Sequence, residues 1–127
     1  MRKKLLTLFV SLFCTVTFVK ADFVKFSDGL AETKPLAVMI YASWADDLDE
    51  VSDIFSEKQA IYGDRYNFSE LDIASEDAKE FNKSFQIYPN LPYIILFKEK
   101  GKITRYIPKS CIEDSSCIDQ RFKFFVN

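Results

Sequence analysis

The sequence has 127 residues, of which 48% are hydrophobic and 28% charged, with three cysteines and no histidine. A chain of this length and composition forms one globular domain rather than several domains or a disordered polymer. Because histidine is absent, Ser-His-Asp and Cys-His catalytic units are excluded. The three glycines are isolated and form no phosphate-binding loop.

The first 21 residues have the pattern of a signal peptide. M-R-K-K is positively charged, residues 5–19 are largely apolar, and Val19 and Ala21 suit cleavage before Asp22. The apolar run is shorter than the roughly 20 residues that span a bilayer. We therefore predict a cleaved signal peptide at residues 1–21, with an uncleaved anchor as the alternative.

After the signal peptide, the apolar pattern alternates between strand and helix. Residues 36–41 are continuously apolar, which predicts a strand covered on both faces. Asp46 or Asp47 is expected to cap a following helix, and Gly63 to end it. The inward face of that helix is predicted from residues at spacings of three and four, which are Leu48, Val51, Ile54, Phe55 and Ile61.

The second half of the chain continues the alternation. Its predicted elements are a strand at 67–73, a short helix at 76–85, a buried strand at 93–97, a polar turn at 99–102, an antiparallel strand at 103–107 and a last helix ending near Phe125. This order predicts an α/β fold with a mixed central sheet flanked by helices.

We expect the remaining domain, residues 22–127, to be exported, either to a bacterial periplasm or out of the cell. Export determines its charge and its cysteine chemistry. Cleavage leaves 13 basic and 19 acidic residues, a formal charge of −6, because the removed segment carries four bases and no acid. This charge disfavours nucleic acid and anionic membranes as partners. Cys111 and Cys117 remain, and an even number of cysteines in an exported protein predicts a disulfide.

Several short motifs, taken in this order, resemble the thioredoxin-like family. K-P at residues 34–35 precedes the apolar strand, A-S-W at residues 42–44 follows it, and Y-G-D-R begins at Tyr62. L-P-Y-I-I-L-F-K, residues 91–98, is similar to the strand that follows the family's cis-proline. The resemblance covers most of the chain from about Phe23 onwards, and it implies a thioredoxin-like fold.

The resemblance also implies where a redox site would lie, and the chemical groups of that site are missing. In the register set by Trp44, the two active-site cysteines of the family fall on Ala45 and Leu48, and a buried acid falls on Met39. Thiol–disulfide exchange needs an attacking thiolate and a resolving cysteine. We therefore expect no redox catalysis at this position.

The start of the predicted helix is strongly acidic. Acids at a helix N-terminus complement the helix dipole, and a binding lip for a basic partner is the alternative. Adjacent acids on a helix point in different directions, so we expect no metal site and no cofactor. The residues concerned are Asp46, Asp47, Asp49 and Glu50.

The resemblance further implies a peptide-binding groove, here named the candidate groove, formed by Trp44, Ala45, Leu48, Leu91 and Pro92. In the family, the residue before the cis-proline pairs its backbone with an extended peptide, and Leu91 holds that position. A cis bond is therefore expected at Leu91–Pro92. Pro89 is the alternative match, but the apolar strand follows Pro92 directly.

Cys111 and Cys117 can bond only if the segment between them is not one continuous helix. Six helical residues rise about 9 Å, whereas bonded cysteines have Cα atoms about 4.4–6.8 Å apart. We expect a loop here, with the last helix beginning near Cys117, and a structural disulfide that contributes about 2 kcal/mol. A redox-active pair, or free or intermolecular thiols, are the alternatives.

Together these features predict an exported, non-catalytic domain that binds an extended peptide or a protein through the candidate groove. The first alternative is a thiol–disulfide oxidoreductase, active in cell redox homeostasis through Cys111 and Cys117. The second is a structural subunit of an envelope complex.

Overall fold

A computed structural model of the chain describes residues 23–126. The signal peptide predicted at residues 1–21 lies outside the described residues. Within the described part, no helix is long and apolar enough to cross a membrane.

Within residues 23–126, four strands and five helices follow one another in the order that the apolar pattern predicts for most of the chain. In chain order they are α1 (Phe26–Ala31), β1 (Leu36–Tyr41), α2 (Leu48–Tyr62), β2 (Asn67–Asp72), α3 (Glu76–Ser84), β3 (Tyr93–Lys98), β4 (Ile103–Ile107), α4 (Lys109–Ile112) and α5 (Ser115–Phe125).

The four strands form one mixed sheet in the order β2-β1-β3-β4. β1 runs parallel to β2 and antiparallel to β3, and β4 pairs antiparallel with β3. In this register Ile40, near the end of β1, pairs with Tyr93, the first residue of β3. The segment that follows β1 and the segment that precedes β3 therefore meet at one end of the sheet.

The core has two layers because the sheet is covered on both faces, as the apolar run of β1 predicts. Met39 packs in one cluster with side chains of α2, α4 and α5. Val38 and Ile40 pack in the other cluster with side chains of α1 and α3. Alternate residues of a strand point to opposite faces, so a strand between two helical layers is apolar at every position.

The predicted inward face of α2 is wrong at its C-terminal end. Ile61 is 54% exposed, whereas Tyr62 is buried. The buried stripe runs through Val51, Phe55, Lys58 and Tyr62 at steps of four, three and four. Lys58 lies on this stripe with its stem buried, and a lysine gives no apolar signal in the sequence.

The polar turn predicted between β3 and β4 is present, and it has a left-handed backbone. Glu99 and Lys100 have φ values of 55° and 57°, and Gly101 has 89°. This conformation matches the twist of a tight hairpin. A Cβ atom at Gly101 would also lie only 3.2 Å from Leu30 Cδ1. Glycine is therefore favoured here both by its positive φ and by the lack of space for a side chain.

Candidate functional site

Trp44 protrudes from the loop that joins β1 to α2. Ala42 is buried at the start of this loop, whereas Trp44 is 72% exposed. The loop is closed by backbone hydrogen bonds from Ala45 to the Ala42 carbonyl at 3.1 Å and from Leu48 to the Ala45 carbonyl at 3.3 Å. A tight turn therefore presents the indole to solvent at the end of the central strand.

The two positions where the resemblance places cysteines both follow Trp44, and the second of these hydrogen bonds joins their backbones. Ala45 and Leu48 are half-buried, and Leu48 packs against the core cluster that contains Met39. Met39 itself is buried. Apolar side chains thus occupy the surface, the helix start and the buried position beneath it, and none of the three is a nucleophile or a proton carrier.

Leu91 and Pro92 lie at the same end of the sheet, and the predicted cis bond between them is confirmed. Both side chains are buried, so they support this surface from below rather than line it. The backbone N–H of Leu91 donates to the Pro89 carbonyl at 3.0 Å. An extended peptide could therefore pair only with the Leu91 carbonyl and not with both backbone groups.

The acidic helix start does not use the predicted side-chain cap. Asp47 is the N-cap residue, but its side chain makes no capping hydrogen bond. Instead, Asp47 Oδ2 accepts a hydrogen bond at 3.1 Å from the ammonium of Lys109, the first residue of α4. The predicted cap position is therefore confirmed, but the expected capping hydrogen bond is absent, and the carboxylate instead forms an ion pair with a lysine from a distant segment.

Lys109 is a residue of this site that the sequence pattern does not indicate. It lies 62 positions from Asp47 along the chain. Only the antiparallel pairing of β4 with β3 brings α4 to this end of the sheet. The other three acids, Asp46, Asp49 and Glu50, are exposed.

Two more carboxyl groups lie on β2, beside the C-terminal half of β1. Glu70 is the β2 neighbour of Met39, and Asp72 is the neighbour of Tyr41. Burial raises the pKa of Glu70. Burial, followed by the charges of Asp72 and Glu70, raises the pKa of Tyr41. A carboxyl group with a raised pKa therefore lies beside the apolar Met39, a placement that follows from the parallel register of β1 and β2.

Cys111 and Cys117 form the predicted disulfide, with Cα atoms 5.2 Å apart. The expected loop is only partly present, because Cys111 belongs to α4 and Cys117 to the first turn of α5. A break at Glu113 and Asp114 separates the two helices. Asp114 caps α5 by accepting hydrogen bonds from the N–H groups of Ser116 and Cys117. The change of direction between the two helices therefore occurs at a capped helix start and not in a longer loop.

The disulfide is linked to the candidate groove through α4. Cys111 is 4% exposed and belongs to the same core cluster as Met39, with Leu48 and Cys117 packed around that cluster. Lys109 lies two residues before Cys111 and forms the ion pair with Asp47.

Among residues 23–126, no cluster of three or more cysteines and acids could hold a metal ion.

No protein-family model matches the sequence, and no curated protein is found to be related to it. Solved structures do match. The oxidised thioredoxin of Plasmodium falciparum has a TM-score of 0.61 and 14% identity, covering 80% of this chain and 90% of that one. A chain of the complex of ferredoxin:thioredoxin reductase with thioredoxin f2 has a TM-score of 0.61 and 19% identity, covering 81% and 92%. Mitochondrial thioredoxin 3 of Saccharomyces cerevisiae has a TM-score of 0.56 and 15% identity, covering 74% of this chain and 86% of that one.

The chain therefore has a thioredoxin-like fold. At these identities the likeness establishes the fold and leaves the chemistry to the residues of this chain. Those residues present one exposed indole, two half-buried apolar side chains and a backbone carbonyl, with an acidic helix start beside them.

Proposed function

We propose that the chain is a non-catalytic binding domain whose partner, an extended peptide or an exposed segment of a protein, contacts Trp44. The 72% exposure of this indole carries the proposal. Tryptophan is enriched among the few residues that dominate binding energy at protein interfaces. The apolar residues at positions 45 and 48 would extend the contact, and the Leu91 carbonyl would give it one directed hydrogen bond.

Export belongs to the same proposal. The basic and then apolar pattern of residues 1–21 supports secretion. A disulfide is also stable in an oxidising compartment such as the periplasm and is rare in the cytosol. We therefore place the binding domain in the bacterial periplasm or outside the cell.

The test uses Trp44 both as probe and as target, since it is the single tryptophan of the chain. Peptides selected on the protein from a displayed library should shift its fluorescence to shorter wavelength as the indole is covered. Trp44→Ala should weaken their binding about 30-fold, the size of a typical interface hot spot, while leaving thermal stability unchanged because the side chain is exposed.

Phe124→Ala is the matched control, because Phe124 is also a large exposed aromatic residue, at 67%, but lies on α5. It should leave peptide binding unchanged. Selected peptides that bind Trp44→Ala as tightly as the unchanged chain would refute a binding role for this surface. A structural subunit of an envelope complex would likewise tolerate the change.

One observation favours the oxidoreductase alternative: Cys117 is only half-buried, whereas its partner Cys111 is buried. Thiol counting by mass spectrometry, with titration against glutathione buffers, separates the two functions. A reduction potential below about −300 mV is typical of a structural disulfide. Ready exchange with glutathione would instead support catalysis through Cys111 and Cys117.

A further inference from the structure

An open cavity of about 480 Å³ lies at the end of the sheet opposite Trp44. In the β1–β3 register, Leu36 at the start of β1 pairs with Phe97 near the end of β3. The cavity lies at this end, beside the turn between β3 and β4, and is here named the hairpin cavity. Its lining includes Pro35, Val126, Lys98, Glu99, Lys100 and Lys102.

The cavity combines an apolar wall with a basic rim. Pro35 and Val126 are apolar, and long lysine stems add further apolar surface. The ammonium of Lys98 donates to the Phe125 carbonyl at 2.7 Å. Lys100 and Lys102 are exposed, and neither takes part in an ion pair with another residue of the range 23–126.

The Trp44 end of the molecule has the complementary character. It presents an exposed indole, and Asp46, Asp49 and Glu50 are exposed within six positions of it. Within the described chain, these three carboxylates form no ion pair. One end therefore offers an aromatic side chain beside three unpaired carboxylates, and the other end offers an open cavity whose rim is net positive, because its three lysines outnumber Glu99.

We propose that the Trp44 end of one copy of this chain docks into the hairpin cavity of a second copy. The inference rests on the proposed function, because it uses Trp44 as the contact residue and names the partner as the chain itself. Indole burial against Pro35 and Val126 supplies the apolar part of the contact. Opposite charges at the two ends set its orientation and its rate of formation.

Such a contact joins two different surfaces, so each added copy leaves one free Trp44 end and one free cavity. Association is then head to tail and does not close into a symmetric dimer. Sedimentation velocity on protein purified from cells expressing the whole chain should show a weight-average mass that rises with concentration up to about 1 mM. Salt screens exposed charges, so the affinity should fall at least about tenfold between 0.05 and 0.5 M salt.

Two variants separate the two halves of the contact. Trp44→Ala has no indole and an intact cavity, whereas Lys100→Glu/Lys102→Glu has an intact indole and a reversed rim. Each alone should be monomeric, and mixed together they should form a 1:1 complex and nothing larger. Because Trp44→Ala contains no tryptophan, titrating it into the lysine variant should shift the fluorescence of that variant and yield the affinity directly.

The control for charge is Lys79→Glu/Lys83→Glu, which makes the same double reversal on α3, where both lysines are exposed. It should associate like the unchanged chain. Asp46→Asn/Asp49→Asn is a second variant of the Trp44 end, and it should weaken association without removing the indole.

A monomer at every concentration, a closed symmetric dimer, or a mixture of the two variants that stays monomeric would overturn the inference. The proposed function is tested separately on Lys100→Glu/Lys102→Glu, which cannot self-associate yet retains Trp44. If this variant still binds the selected peptides while the unchanged chain stays monomeric, the binding function stands and only the self-association is refuted.

Discussion

A buried lysine between α2 and α5 has one carboxylate at hydrogen-bond distance, that of Asp119, and a more distant one, that of the exposed Glu57, at 3.8 Å. The side chain of Lys58 is 5% exposed, and its ammonium donates to Asp119 Oδ1 at 3.0 Å. The Tyr62 hydroxyl donates to the same oxygen, also at 3.0 Å. A buried ammonium without a partner costs several kcal/mol, so Asp119 is the residue that permits a lysine on the inward face of α2.

Asp119→Asn should lower the free energy of unfolding by about 2 kcal/mol, because a hydrogen bond between two charged groups becomes one to a neutral amide. Urea unfolding of both proteins measures the difference. Adding Lys58→Met should recover part of the loss, since it removes a buried ammonium that would keep only the exposed Glu57 carboxylate at 3.8 Å, and it fills similar space. A double variant no more stable than Asp119→Asn would contradict this account.

The same cluster predicts a pH dependence. Burial alone would raise the pKa of Asp119, but hydrogen bonds from Lys58 and Tyr62 and the charges of Lys58 and Lys123 lower it below 3.8. A carboxyl whose pKa is lower in the folded state stabilises the fold above its unfolded pKa, and this contribution is lost as the pH falls through the folded pKa. The stability gap between the unchanged chain and Asp119→Asn should therefore close between about pH 5 and pH 2.

At the scale of single elements, α3 shows how one hydroxyl can fix a helix start. Ser75 Oγ accepts a hydrogen bond from the Ala78 N–H at 3.3 Å and donates to the Asp72 carbonyl at 2.6 Å. Ser75→Ala should cost about 1 kcal/mol, as the loss of a helix cap does. Chemical denaturation monitored by circular dichroism measures this change.

Ser69→Ala is the matched control for the α3 cap. The Ser69 hydroxyl is buried, and it has no hydrogen-bond partner among the described residues. Removing an unsatisfied buried hydroxyl should leave stability unchanged or raise it slightly. Equal losses from the two serine substitutions would show that capping is not what stabilises α3.

The sequence predicts elements with strong periodicity and misses those defined by distant contacts. The bounds of β1 and β4 agree with the apolar pattern, and those of β2, α3 and β3 agree to within one residue. α1 is not predicted, because its six residues are too few to show a helical period. The break between α4 and α5 is misassigned as a loop, since the cap from Asp114 replaces it.

At the scale of the molecule, the sequence predicts which end of the sheet holds the residues of the candidate groove, but it does not predict their contacts. Trp44 and Leu91–Pro92 do belong to one end of the sheet, which follows from the order of the strands. Two of these contacts depend on loop conformation and strand register. They are the hydrogen bond that occupies the Leu91 N–H and the ion pair of Lys109 with Asp47. No local pattern of residues encodes such contacts.

The last helix closes one layer of the core, and this makes Phe122 the residue on which the whole fold should depend most. Its ring lies 5.0 Å from the rings of Tyr62 and Tyr66 and 5.9 Å from that of Phe68. The Tyr66 hydroxyl also donates to the Phe122 carbonyl at 2.6 Å. α2, β2 and α5 therefore meet at one side chain.

Phe122→Ala should cost about 4 kcal/mol, since it removes a buried aromatic ring and leaves a cavity. That is a large part of the 5–15 kcal/mol that stabilises a domain in total. Phe124→Ala, two positions along the same helix, should cost less than about 0.5 kcal/mol because its ring is exposed. Thermal unfolding of both variants tests the pair, and similar losses would mean that α5 does not pack in the register described here.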